Sequence, residues 1–286
     1  MQPQNRFMMK HVIFRRSGVA TLLLWVVLAS ARLTGVAGTE GSGLEAKRTY
    51  QTDRDEIARM AKDLSGLLAP NYRKKLSADP VIFSSDSMPF LDLGSRTNAE
   101  VNRRDIAISD GCVELVNSLS HAQAIDHVEK GYFLKYVAKL EAEAQEKVTP
   151  LSNKESARYW TADVMNEQSS NCNSVMGILL AIKLAHSYLG HYNKYESRIT
   201  GQKYPLAINH VLTPAEFNQA FTMGTQNALE AGYAVEGMVP FLQAFDKMKV
   251  RPAWTAYLIP PNAKIPSLVK NLQQMQKDFF RVKDKR

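Results

Sequence analysis

Two histidines, His186 and His191, stand in the stretch Leu184-Ala185-His186-Ser187-Tyr188-Leu189-Gly190-His191-Tyr192, inside an apolar run that reads as a long helix. Imidazole is the side chain best suited to move protons near neutrality or to hold a divalent metal. Spacing decides whether two of them act together. A helical chelate places its histidines four apart on one face, whereas these are five apart, about 140° out of line at roughly 100° per residue. A one-residue π-type bulge would bring the imidazoles together, and such bulges occur at functional sites. On a regular helix His186 falls among Ile178, Leu179, Ile182 and Leu189, while His191 points the other way beside Leu180 and Leu184. Each would then hydrogen-bond locally. Ser187 follows His186, so no carboxylate stands next to the first histidine as a general base. Tyr188, Tyr192 and Tyr195 either line a groove for an extended peptide or pack between helices.

Other polar groups offer less. Thr213-Pro214-Ala215-Glu216 is a capping box, with Thr213 as N-cap, Pro214 at the first helical position and Glu216 reaching back to the Thr213 amide. His121 and His127 are six apart and make no helical chelate. Asp163 and Glu167 lie four apart, a spacing common on solvated helix faces. The two cysteines, Cys112 and Cys172, either pair or remain separate buried thiols. A bridge would contribute about 4 kcal/mol by restricting the unfolded chain. Neither has neighbours that would complete a metal site. GxSxG, GxGxxG and P-loop patterns are absent from the sequence.

The histidine stretch resembles the zinc helix of HExxH metallopeptidases, and the likeness extends along the chain. Asp105-Ile-Ala-Ile-Ser-Asp-Gly-Cys-Val-Glu-Leu-Val-Asn117 resembles the edge strand and following helix of gluzincins related to the CAAX prenyl endopeptidase, where (V/I)x(V/I)(T/S)xG leads into a leucine-rich helix. Glu216-Phe-Asn-Gln-Ala-Phe-Thr-Met-Gly224, followed by Ala231-Gly232-Tyr233, resembles that group's third-ligand helix, which reads ExxxDxxG and then AGY. What the resemblance implies is a zinc-peptidase scaffold with His186, His191 and Glu216 as candidate ligands, Tyr188 and Tyr192 as candidate substrate contacts, and a peptide or protein as substrate or partner. Each motif departs from the pattern. Ser187 replaces the base, Phe221 takes the aspartate position, Phe217 takes the ligand position, and Glu216 is one residue early.

The elements that must position these residues follow from periodicity. Residues 53–68, 111–146, 156–195, 213–230, 235–248 and 267–282 carry helical patterns, and residues 80–84 and 104–109 are strand candidates. Pro252, Pro260, Pro261 and Pro266 make residues 251–266 an extended strap. The expected fold is α+β, a mostly helical single domain over residues 48–286 with a small sheet, gluzincin-like by the resemblance. Upstream, Arg6, Lys10, Arg15 and Arg16 precede an apolar run over residues 19–29, which reads as a signal peptide over residues 1–38, cleaved after Ala31 or Gly38. A Gly/Ser-rich linker covers residues 39–47. Cleavage leaves no stable membrane span, because the run is shorter than the about 20 residues a span needs.

The formal charge of +8 belongs largely to that leader. Without Arg6, Lys10, Arg15, Arg16 and Arg32, the 36 basic residues fall to 31 against 28 acidic ones, leaving +3. That balance, with no basic–aromatic cluster, argues against nucleic acid as a partner. Two functions remain, both exported to the periplasm or secreted. One is a zinc-dependent peptidase with a degenerate site; the other is a catalytically inactive peptide- or protein-binding envelope protein on the same scaffold.

Overall fold

Asp53 accepts hydrogen bonds from the Asp55 and Glu56 amides and so starts helix α1, Arg54–Leu67, whose Ile57, Met60, Ala61 and Leu64 are buried at helical spacing. This is the first element of a computed structural model that describes residues 50–93, 105–142, 147–199 and 207–283. The expected signal peptide and linker lie outside the described residues. A short helix α2, Pro70–Arg73, follows, then strands β1, Val81–Ser84, β2, Leu91–Leu93, and β3, Ile106–Ser109. In the sheet the order is β1-β3-β2, with β1 parallel and β2 antiparallel to β3. The strand likened to an edge strand, β3, is therefore the central one. It is buried along its length, and the three-residue β2, too short to show alternation in the sequence, covers its second edge.

Ser109 caps helix α3, Asp110–Ile125, by accepting from the Cys112 amide. The expected continuous helix over residues 111–146 is in fact two. The chain turns through Gly131, at φ +86°, and restarts as α4, Tyr132–Ala142, with the Asp126 carboxylate accepting from the Phe133 amide. A 3-10 turn at Ala157–Trp160 leads into α5, Ala162–Tyr188, which spans 27 residues. This helix also ends earlier than its apolar pattern suggests. Gly190, at φ +79°, donates its amide to the Ser187 carbonyl, and a separate helix α6, His191–Ile199, begins after it.

Helices α7, Pro214–Glu230, α8, Met238–Lys247, and α9, Ile265–Lys283, complete the fold. The strap between α8 and α9 is not extended throughout: Ala253–Tyr257 forms a 3-10 turn that buries Trp254 and Tyr257. Pro266 stands inside α9 at its second residue, where no helical amide bond is forfeited. Among the described residues, no helix is long and apolar enough to cross a membrane. The described residues form one compact unit of α+β class, dominated by helices.

Helix α5 is the axis of that unit. From Ser174 to His186 every residue is buried, with α3 and α7 as its most extensive neighbours. The crossing with α7 is close because Gly224 has no side chain: a Cβ there would lie 2.6 Å from the Ile182 backbone. Gly177 makes similar room for the ring of Tyr233, 2.5 Å from where its Cβ would be. Cys112 and Cys172 are buried, unbridged thiols whose pKa values burial pushes up to about 12. Replacing Gly224 with alanine is expected to destabilise the protein by about 1–3 kcal/mol, the usual cost of overpacking a closed core. The matching change at Gly66, exposed in α1 with nothing near its virtual Cβ, should stabilise by about 0.5–1 kcal/mol. Chemical denaturation of the two variants checks both signs.

Candidate functional site

The break at Gly190 brings the two histidines together. His186 lies in the last turn of α5 and His191 opens α6, and because the chain reverses through a positive φ between them, His191 folds back onto His186. Their Nδ1 atoms are 2.8 Å apart and their rings 5.1 Å apart at 58°. The geometry requires no bulge, since α5 has ended, and it replaces the opposed directions that a continuous helix would impose. His186 is fully buried and His191 nearly so, at 6% exposure.

One Nδ1 must donate to the other. His186 Nε2 is buried without a hydrogen-bond partner, and a buried N–H left unpaired is costlier than a bare lone pair. The favoured tautomer therefore has His186 Nδ1–H donating to His191 Nδ1. Burial lowers the pKa of His186 well below its usual value, reinforced by the charges of Lys183 and His191 and opposed by Glu216. Burial also lowers His191, with Glu216 working against it and Lys194 with it. Both shifts favour the neutral form of the rings.

Glu216 approaches the pair electrostatically but is committed elsewhere. Its Oε2 accepts from the Thr213 amide at 2.9 Å, the Thr213 hydroxyl at 2.8 Å and the Tyr195 hydroxyl at 2.8 Å, and its Oε1 pairs with Lys194 at 2.5 Å. The capping box read in the sequence is complete. Burial raises the Glu216 pKa, but Lys194, Thr213 and Tyr195 outweigh it and bring the value to about 2.

Phe217 provides the other wall. Its ring lies 6.3 Å from that of His186 at 32°, and Phe221 follows 5.8 Å beyond. A phenyl group thus covers the histidine from the position at which the resemblance would place a ligand carboxylate. Tyr188 and Tyr192 do not line an open groove: they are 1% and 6% exposed, and the Tyr188 ring packs against that of Tyr72 at 4.6 Å, tilted by 34°. A surface hollow between α7 and α9, lined by Leu229, Met275, Phe279 and Val282, contains neither histidine.

As arranged, these donors do not fit a zinc ion. Tetrahedral zinc with Zn–N bonds of about 2.0–2.1 Å separates two nitrogen ligands by roughly 3.3 Å, further than the 2.8 Å between the imidazoles. Among the described residues, no cluster of three or more His, Cys, Asp or Glu side chains is close enough to hold a metal.

One functional-looking pair escaped the sequence reading. Lys183, one turn before His186 and 2% exposed, pairs at 3.1 Å with Asp92 of β2. A lysine inside an apolar helical run was the available signal; its partner stands 91 residues away. The chain matches no known protein family, curated protein or solved structure in the comparisons.

The titration of the pair has a definite sign. A histidine whose folded pKa is depressed takes up protons more readily when unfolded, so its contribution is complete above about pH 6.5 and is lost as the pH falls. Stability should decline from about pH 6.5 downward, by up to about 1.4 kcal/mol per pH unit for each histidine held neutral. Urea unfolding between pH 7.5 and 5 measures this slope, and His186→Gln should flatten it.

Proposed function

We propose that the chain is an exported, catalytically inactive peptide- or protein-binding protein that keeps a gluzincin-like scaffold without its metal chemistry. The observation that carries this reading is the histidine pair closed on itself at 2.8 Å beneath the ring of Phe217. Hydrolysis on zinc needs two imidazoles turned to the metal, a third ligand, and a base to take a proton from the metal-bound water. Here the imidazoles spend Nδ1 on each other, the third position is a phenyl ring, the nearby Glu216 closes a helix start, and Ser187 stands where the base would be. Export to the periplasm or secretion rests on the basic and apolar N-terminal segment, and places the mature N-terminus between Arg32 and Glu40.

Metal content and activity of the purified mature protein test the reading. The expected result is zinc far below one per chain, a thermal midpoint unmoved by added zinc or by a chelator, and no cleavage of unfolded protein. One zinc per chain that is lost in both His186→Ala and His191→Ala, together with hydrolysis at about 1 per second or faster, would establish the peptidase instead. N-terminal sequencing of exported protein checks the leader, and a mature chain that still starts at Met1 contradicts its cleavage.

A further inference from the structure

A second histidine, remote from the pair, is held under an aromatic cover by the start of the described chain. His121 on α3 is 0% exposed. Its Nε2 is 2.7 Å from the Tyr159 carbonyl, which only accepts, so the proton sits on Nε2 and Nδ1 is left as an acceptor. Tyr50 fills that position, with its hydroxyl 3.3 Å from Nδ1. The Tyr50 ring meets His121 edge-on at 5.6 Å and stacks on Trp160 at 5.7 Å and 27°. Trp160 itself meets His121 edge-on at 4.8 Å. Two partly buried rings therefore roof a buried imidazole.

Two residues further on, the chain is fastened independently. The Thr52 carbonyl accepts from Asn117 Nδ2 at 3.1 Å, and the Thr52 hydroxyl donates to Asn173 Oδ1 at 2.9 Å. Tyr50 thus lies beyond a fixed point, held by its ring and its hydroxyl.

We infer that Tyr50 is an acid-released cover: protonation of His121 puts a charge in the core that the neutral Tyr50 hydroxyl does not balance, and the Tyr50 ring swings off Trp160 to let the imidazolium reach water. The charges around His121 leave it no other relief. From the loop before the 3-10 turn, Lys154 lies over the Tyr50 ring, 5.3 Å from its centroid, and repels a second positive charge. Glu114 of α3 is the nearby carboxylate, but it faces Tyr50, accepts from Ser118 at 3.1 Å and pairs with Lys154 at 3.9 Å. The carboxylate of Glu129 serves Tyr159 and Arg158. Cys172 of α5 and Tyr132 and Tyr136 of α4 also face Tyr50, each carrying no charge that would compensate. Burial, with Lys154, keeps the His121 pKa below its ordinary value, against the Tyr159 carbonyl, which raises it. Release therefore comes below about pH 6.5. Moving Tyr50 breaks its hydroxyl contacts with His121 and Ser118, two ring contacts and the Lys154 contact over its ring, whereas moving α3 would open the core.

Fluorine NMR of the full chain labelled with 5-fluorotryptophan tests this, with the Trp160 signal assigned by Trp160→Phe. The Trp160 resonance should shift with a midpoint below about pH 6.5, while that of Trp254, buried in the strap turn, stays in place. His121→Gln, which keeps a donor for the Tyr159 carbonyl, should abolish the shift. Tyr50→Phe removes a contact that holds the cover closed, so release should need less acid and the midpoint should move to higher pH by about half a unit or more. The proposal is overturned if Trp160 and Trp254 change together, as in global unfolding, or if His121→Gln retains the transition. Should that variant fail to fold, an unchanged midpoint in Tyr50→Phe overturns it as well.

Discussion

Lys183 carries its ammonium into the middle of the protein, and the elements around it are arranged to answer that charge. Asp92 meets it at 3.1 Å, and the same carboxylate accepts from the Leu93 amide at 2.9 Å and, through its other oxygen, from the Ile208 amide at 2.9 Å. One side chain thereby ties the central helix α5, strand β2 and the chain entering the 3-10 turn Ile208–His210. A buried pair of this kind roughly breaks even against apolar residues, but removing one partner costs about 3–5 kcal/mol because the other is stranded. A strand of three residues gains little from its own ladder. Its place beside β3 is reinforced by Asp92, and Asp92 is needed because Lys183 cannot leave.

The same ammonium shapes the histidine pair one turn further along α5. Positive charge from Lys183 disfavours a second cation at His186, and burial acts in the same direction. Neutral imidazoles can join through one shared hydrogen bond, whereas two imidazolium rings would face each other donor to donor. A divalent ion would meet this cationic setting with Glu216 as the nearby carboxylate, and that carboxylate is already held by Thr213, Tyr195 and Lys194. The proton does here the joining that a metal would do on a helix with correctly spaced ligands.

Features set by local chemistry were legible in the sequence. The capping box at Thr213 and Glu216, the amphipathic α1 and strands β1 and β3 all depend on residues within a few positions of one another. What escaped depends on single glycines or on distant partners. Gly131 and Gly190 interrupt apolar patterns that continue on both sides, so periodicity alone joins α3 to α4 and α5 to α6. With that break unseen, His186 and His191 read as residues of one helix facing apart, although the glycine between them was the available sign of a left-handed turn. Likewise, it is the resemblance that makes β3 an edge strand, whereas Leu91–Leu93 lies beside it and, with three residues, carries no period. The Lys183–Asp92 pair spans 91 positions and belongs to tertiary structure alone.

The way the pair is held bears on what kind of site it is. A metal fixes its ligands with strong bonds and needs modest help from the surroundings, whereas a hydrogen bond between neutral rings contributes only about 1 kcal/mol. Packing must therefore supply the geometry. The end of α5 is closed by the Gly190 turn, its Tyr188 carbonyl accepts from Lys75 Nζ at 2.8 Å, and Tyr188 packs against Tyr72. Phe217 and Phe221 press on the same corner from α7, which Gly224 allows to approach the α5 backbone. Each of these contacts is apolar or is spent within the protein, and together they close the corner around the imidazoles. The nitrogen of His186 that is not turned to His191 is buried, so this imidazole is enclosed on every side. The surroundings of the histidines are therefore those of a core corner closed by packing.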